Sequence, residues 1–256
     1  MIGIGTAIPF NQNVGNLVAP LNPLQMSVTC GLWYDFTDLS IQTIDSSDNS
    51  IREIANKGVI SNTTLSQRTG SQRPISRFES GHFGARFSLN SSQFLPSVNN
   101  FSLLKNGVFV IIAKLIDEGT QSVYGMATMR VPNVVSMRYI NNGANTTISQ
   151  FTSGSTATDS QATSPLATNL NVSMYNISAN NQELTAFNNN TAGASTTMTD
   201  TPIESAGVFI IGSSNANAQF FNGDIFEVIY FQSDLTSQLQ NEILSYTETK
   251  YAIPQA

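Results

Sequence analysis

Two short runs of the chain are apolar without any polar alternation. Val108-Phe109-Val110-Ile111-Ile112-Ala113 and Val208-Phe209-Ile210-Ile211 have the pattern of strands covered on both faces, and the first predicts a central strand. The second is bounded by Gly207 and Gly212 and is followed by the β-rich stretch Phe220–Phe231. Asn222-Gly223 is a tight-turn signal, so the order reads strand, turn, strand, with a hairpin at the centre of a β-sandwich. Further strand signals arrive at short spacing: Val28–Phe36, Pro74–Phe78, Gly84–Leu89, Gln93–Leu95, Ser122–Met129, Val134–Ile140 and Thr146–Phe151. This rhythm predicts a sandwich or barrel rather than a parallel sheet with crossover helices.

Leu170–Ile177 alternates apolar and polar residues, the mark of a sheet with one wet face. The Ser-, Thr- and Ala-rich tract Thr152–Thr168, and a similar one over Asn188–Thr201, predict surface loops. Leu239, Ile243, Tyr246 and Lys250 recur at helical spacing and predict a closing helix that packs on the sandwich. Asp234 or Thr236 caps its start, Gln240, Glu242 and Thr247 face outward, and Pro254 ends it.

Length and composition refine this picture. With 256 residues and 40 % apolar content, the chain suits one large all-β domain over residues 28–256, preceded by an extended arm over residues 1–27. The arm carries no charge and is interrupted by glycine and proline. Its apolar residues Ile2, Ile4, Ile8, Phe10, Leu17 and Val18 are unusual for a disordered leader and predict a docking segment that orders against a partner. Only 11 % of residues are charged, well under the roughly 25 % usual in soluble domains. Such a weakly charged polar surface suits large assemblies or an extracellular setting.

The net charge of −6, with Lys and Arg scattered singly, argues against nucleic-acid partners and against an anionic membrane. No apolar run approaches the roughly 18 residues that span a bilayer. The N-terminus lacks a basic n-region, and Pro9, Asn11 and Asn13 interrupt its apolar stretch, so secretion by the usual signal is not expected. Passage on a virion released by lysis needs no such signal. Cys30 is the single cysteine, which excludes an internal disulfide and favours a buried structural thiol.

The candidate chemistry is sparse. Asp224 and Glu227 are three apart, so strand periodicity sets them on opposite faces and not as the paired carboxylates of a glycosidase. Glu227, among large apolar residues, reads as a buried, hydrogen-bonded structural carboxylate. His82, the sole histidine, lies in the turn-like Gly81-His82-Phe83-Gly84 with no local triad partners. Asp45, Ser46, Ser47, Asp48 and Asn49 offer oxygen atoms without the spacing of a calcium loop, and read as a solvated turn. Trp33 reads as a core or rim anchor rather than a sugar platform. The Asn-x-Ser/Thr sequons at Asn62, Asn90 and Asn145 are expected by chance in this composition. No catalytic residue, cofactor site or metal site is assigned.

Several segments, in order, resemble one family. They are Leu32-Trp33-Tyr34-Asp35 with Asp38-Leu39-Ser40; Ile51 to Gly58; Gln72-Arg73-Pro74; and Gly84-Ala85-Arg86-Phe87 with Phe94-Leu95. The most specific are the last: Ile210-Ile211-Gly212-Ser213, then Phe221-Asn222-Gly223-Asp224-Ile225-Phe226-Glu227-Val228-Ile229-Tyr230, then Leu235 to Tyr251. Together they are similar to the concanavalin A-like (laminin-G-like) jelly-roll domains of tailed-bacteriophage structural proteins, over most of residues 30–253. Ala55-Asn56-Lys57-Gly58 departs from the family's Asp-Lys-Ser-Gly, so no ligand contact is carried over from that Asp.

The resemblance implies an antiparallel two-sheet jelly-roll sandwich with an N-terminal arm and a C-terminal α-helix. It also implies a non-enzymatic virion structural protein, a head decoration or a tail or fibre component. Its partners would be other capsid or tail proteins, with self-association and a host glycan as further partners it allows. The alternative is a lectin-like carbohydrate-binding module acting in host adhesion. The two are compatible, and composition favours assembly, because aromatics make up 9 % of the chain and most fall inside strand patterns.

Overall fold

The continuous apolar run at 108–113 pairs with the β-rich stretch that precedes the closing helix. In the computed structural model, Gly107–Leu115 and Gly223–Phe231 lie antiparallel with Phe109 opposite Tyr230, Val110 opposite Ile229 and Ile111 opposite Val228. The structure describes residues 21–103, 106–116, 123–130, 133–140, 146–153, 156–163, 170–198, 206–215 and 218–253. The predicted docking residues Ile2, Ile4, Ile8, Phe10, Leu17 and Val18 lie outside the described residues, as does Pro254.

In chain order the first strands are β1 (Cys30–Asp35), β2 (Gln42–Ile44), β3 (Ile51–Ile54), β4 (Leu65–Ser66), β5 (Ile75–Glu79), β6 (His82–Phe87) and β7 (Leu95–Pro96). Next come β8 (Gly107–Leu115), β9 (Val123–Arg130), β10 (Asn133–Ile140), β11 (Thr146–Ser153), β12 (Thr156–Thr163) and β13 (Leu170–Ser178). The chain closes with β14 (Glu183–Asn188), β15 (Thr191–Ala192), β16 (Thr196–Thr197), β17 (Val208–Ile211), β18 (Ser213–Asn215), β19 (Ala218–Phe220), β20 (Gly223–Phe231) and helix α1 (Ser237–Tyr251).

One sheet runs β15-β14-β13-β8-β20-β6-β5, with β1 also on β20 and β16 on β14; the other runs β12-β11-β10-β9-β17-β7. All pairings are antiparallel, and the architecture is a two-sheet jelly-roll sandwich. Its main core lies between the sheets, where Phe109 stacks on Phe209 with ring centroids 5.9 Å apart and Leu32, Tyr34, Val228 and Tyr230 meet Ala127, Met129, Met137 and Ile211. A second core covers the other face of the larger sheet. There Val108, Val110, Ile112, Val172, Met174 and Ile229 pack under Leu239, Ile243 and Tyr246 of α1.

This second layer corrects the reading of Leu170–Ile177 as half wet. Tyr175 and Ile177 enter the main core and Val172 and Met174 the helix-side core. The apolar phase therefore switches within the strand, and both faces are covered.

The helix follows its predicted stripe. Thr236 caps it by accepting a hydrogen bond from the Leu239 amide at 3.1 Å, and Leu239, Ile243 and Tyr246 are buried. It ends at Ala252, whose φ of 53° is left-handed and whose amide donates to the Glu248 carbonyl, so the helix stops before Pro254. Thr247, predicted to face out, is fully buried and donates to the Leu244 carbonyl. Ahead of β1, Met26 is buried in the helix-side core, and the Ser27 amide and hydroxyl both donate to Glu242, each at 2.8 Å.

Three other expectations change. Val208–Ile211 and β20 do not form a hairpin: β17 pairs with β9 and β7 in one sheet, and β20 lies in the other. Gly212, at φ +88° and with no room for a Cβ against the Phe87 ring, turns the chain out of the first sheet. Gly223 is not a turn residue; it admits the Lys114 carbonyl, which would lie 2.2 Å from a Cβ. Thr156–Thr163, within the predicted loop, pairs along its full length with β11 as an edge strand, because the backbone ladder forms with any non-proline side chains. The turn predicted around His82 falls earlier, at Ser80 and Gly81 with φ 52° and 84°, which joins β5 to β6 as a two-residue hairpin loop.

Candidate functional site

A β-bulge decides where the acidic residues point. The register of β20 against β8 shifts between Ile225 and Glu227. Ile225 and Val228 consequently enter the main core, whereas Phe226 joins the helix-side core and Glu227 meets the side chains of α1. A bulge of this kind sets two consecutive residues on one face. Asp224 alternates with Ile225 and so shares the outer face with Glu227, contrary to the opposite faces expected from strict periodicity. The two are still not a pair. Asp224, itself buried, is held bidentately by Arg86 at 2.6 and 2.7 Å, and Arg86 and Lys114 in turn both reach the half-buried Glu79.

Glu227 instead faces Asp35, its cross-strand neighbour on β1. Both carboxylates are buried, and the Lys250 ammonium bonds both, reaching Asp35 at 3.3 Å and making a close contact with Glu227. Glu227 also accepts from Trp33 Nε1 at 3.2 Å and from the Tyr246 and Tyr251 hydroxyls at 2.6 Å each. Burial first, then the Asp35 charge, push its carboxyl above the usual carboxylate range, while Lys250 opposes the shift. Burial and then the Glu227 charge likewise push the Cys30 thiol up to about 12, so it is an inert core thiol.

Asp35 is fixed further by Lys57 at 3.3 Å and by the Thr37 amide and hydroxyl at 3.1 and 2.6 Å. Trp33 is buried, with the Lys57 ammonium 4.0 Å from its ring centroid and its amide bonded to Asn56 Oδ1 at 2.7 Å. His82 packs its ring on Tyr251 at 4.8 Å, and burial followed by the Lys250 charge lowers its pKa. This constellation is fully occupied by its own side chains. It closes α1 onto the sheet and presents no open position beside its carboxylates for a sugar.

An open groove lies elsewhere among the described residues. Strands β2, β3 and β4 form a small sheet that bridges edge strand β5 of one large sheet through Ser50 and Ile75, and edge strand β7 of the other through Leu65 and Ser97. Its inner face inserts Ile51, Ile54 and Leu65 into the main core, so it seals the side of the sandwich. Glu53 and Ser66 on its outer face, with Pro96 of β7 and Val98 just beyond it, form the floor of a groove of about 700 Å³. Glu53 and Ser66 are register partners, which explains why one row of the pleat presents a carboxylate, a hydroxyl and an apolar ledge side by side.

Arg52, Arg68 and Arg73 rim this floor. Arg73 is fixed: its Nε donates to the Gln67 carbonyl at 2.8 Å and an Nη to the Arg68 carbonyl at 3.0 Å, and Asp45 lies 3.6 Å away. Arg52 touches Glu53 only loosely, at 3.7 Å, with its side chain 51 % exposed. Arg68 is exposed, and its guanidinium has no ion pair among the described residues.

Sequence reasoning missed this site, because it treated the basic residues as scattered. The usable signal was that three of the seven arginines fall between positions 52 and 73.

The Asp45–Asn49 segment is a self-bonded turn, with Ser47 donating to Asp45 and the Ser50 amide to Asp48. Among the described residues, no group of three His, Cys, Asp or Glu side chains is assembled that could hold a metal ion. No helix among them is long and apolar enough to cross a membrane.

No protein-family model matches the chain, and no curated protein sequence matches it. Among solved structures it is similar to domain 4 of AbnA, a GH43 extracellular arabinanase from Geobacillus stearothermophilus, in complex with arabinotriose. That likeness has a TM-score of 0.53 at 16 % identity and covers 84 % of this chain and 98 % of the other. The native heptameric SAP-like pentraxin from Limulus polyphemus matches with a TM-score of 0.48 at 10 % identity, over 59 % of this chain and 75 % of that one. The CBM40 of the Ruminococcus gnavus IT-sialidase, bound to α2,3-sialyllactose, matches at 0.45 and 14 % identity, over 54 % and 82 %. At 16 % identity the arabinanase-domain likeness is one of fold, and that fold is the lectin-like jelly roll.

Proposed function

We propose that the chain is a non-catalytic, lectin-like glycan-recognition module, carried as a structural component of a tailed-phage particle. The observation that carries the glycan reading is the groove on the small sheet. It combines donors, an acceptor and an apolar ledge in one open concavity, the mixture a sugar needs because each ring has hydroxyl edges and a C–H face. The fold likeness to an arabinanase domain solved in complex with arabinotriose supports the same reading.

Asp35 and Glu227 support the non-catalytic part. A glycosidase needs two carboxyl groups that flank the scissile bond, and these two are buried and bridged by Lys250. The virion placement, with capsid or tail proteins as partners, rests on the ordered sequence segments between Leu32 and Tyr251 that resemble phage jelly-roll domains.

A glycan array probed with the purified protein, followed by reducing-end assays on every glycan bound, tests the proposal. Binding without release of new reducing ends is the expected result. Turnover that disappears in Glu227→Gln, with the fold retained, would overturn it.

A further inference from the structure

We propose that the groove recognises a carboxylate-bearing sugar, with Arg68 and Arg52 as its ligand arms and Arg73 as a positioning residue. This rests on the glycan-recognition reading and narrows it to acidic glycans. The three guanidinium groups are not equivalent. Arg73 spends its donors on the Gln67 and Arg68 carbonyls, and its charge is met by Asp45; it therefore braces the turn that carries Arg68. Arg68 has no ionic partner among the described residues, and Arg52, 51 % exposed, meets Glu53 at 3.7 Å and feels Asp45 from beyond contact distance. In a chain of net charge −6, an unpaired Arg68 beside a half-exposed Arg52 over a sugar-sized groove calls for an anionic ligand.

The planar fork of a guanidinium matches a carboxylate bidentately. The floor adds what a bare anion would not use: Val98, 55 % exposed, and Pro96 form a ledge for the C–H face of a ring, beside the Ser66 hydroxyl. Glu53 in the floor and Asp45 beside Arg73 oppose a densely charged polymer such as nucleic acid, and favour a ligand with separated charges and hydroxyl groups that Glu53 can accept from.

The test uses the full chain and titration calorimetry with trigalacturonic acid, its uncharged counterpart galactotriose, and a κ-carrageenan tetrasaccharide, which carries sulfate and no carboxylate. Titrations are run at about 20 and about 300 mM NaCl to vary screening. Trigalacturonic acid is expected to bind at least about tenfold more tightly than galactotriose at low salt, the scale of one charge-assisted hydrogen-bonded contact. Arg68→Ala should remove about tenfold, Arg52→Ala several-fold, and Arg77→Ala, an exposed arginine outside the groove, nothing. Arg68→Gln, which keeps polarity and bulk, should behave as Arg68→Ala, and unchanged melting temperatures check the folds.

Equal affinity for galactotriose would overturn the acidic-sugar inference while leaving glycan recognition standing. Preference for the sulfated tetrasaccharide after correction for its charge, or equal losses in Arg68→Ala and Arg77→Ala, would also overturn the inference. Silence toward all three sugars and across a glycan array would sink both readings.

Discussion

Lys250→Met offers the sharpest perturbation of the buried acidic cluster. Methionine keeps the length and most of the apolar stem but deletes the ammonium that bonds both Asp35 and Glu227. Asp35 retains Lys57, whereas Glu227 retains only neutral donors from Trp33, Tyr246 and Tyr251. Leaving that charge uncompensated would cost about 3–5 kcal/mol. Taking up a proton instead, from an ordinary value of 4.5 to pH 7, costs about 3.5 kcal/mol at roughly 1.4 kcal/mol per pH unit.

Protonation caps the loss at pH 7 at that figure, less what the raised carboxyl already costs the wild type, and the loss shrinks toward zero as pH falls through the wild type's raised folded value. The sign follows from the direction of the shift. A carboxyl whose folded pKa lies above its unfolded one binds more protons when folded, so its contribution to stability is present at low pH and lost as pH rises from 4.5 through the folded value. Removing Lys250 raises that folded value further and extends the loss to higher pH. Urea unfolding of wild type and variant at pH 5 and pH 7 measures both quantities. A loss independent of pH, or one below about 0.5 kcal/mol at pH 7, the range of ordinary surface changes, would refute an ionised, Lys250-compensated Glu227.

Ile243→Ala, at the centre of the buried helix stripe, should cost about 2–5 kcal/mol in equilibrium unfolding, a large share of a domain stability of roughly 5–15 kcal/mol; a loss below about 1 kcal/mol would remove α1 from the core. Thr236→Ala deletes the one side-chain bond to the Leu239 amide and should cost about 1 kcal/mol, recovered in large part by Thr236→Asp. Deleting residues 1–20 should leave the unfolding curve unchanged and abolish incorporation into particles; normal incorporation of the truncated chain would show that Ile2, Ile4, Ile8, Phe10, Leu17 and Val18 are not the dock.

The fold was legible wherever apolar pattern and burial coincide. The continuous run at Val108–Ala113 became the central strand because both cores press on it, and the Leu239–Tyr246 stripe became the buried face of α1 for the same reason. Pattern failed where backbone geometry decides. Asn222-Gly223 looked like a turn, but its glycine serves a close strand approach and its asparagine bonds the Ile116 carbonyl. The bulge after Ile225 carried Glu227 onto the face of Asp224 with no local sequence mark. Thr156–Thr163 has loop composition and strand hydrogen bonds.

The two sites differ in the same way. Glu227 announced its burial through its apolar neighbours, although its partners Asp35 and Lys250 come from distant segments. The groove draws on β3, β4, the turn at Gln67–Arg73 and β7, and no single stretch of sequence displays it.

A crystal structure of the protein soaked with the tightest-binding oligosaccharide from the array tests glycan recognition at this groove most directly. The account predicts sugar density lying along Ser66 and Val98, with an acidic group against Arg68 and Arg52. Density seated on another surface, or against the Glu227 cluster with α1 displaced, would contradict it.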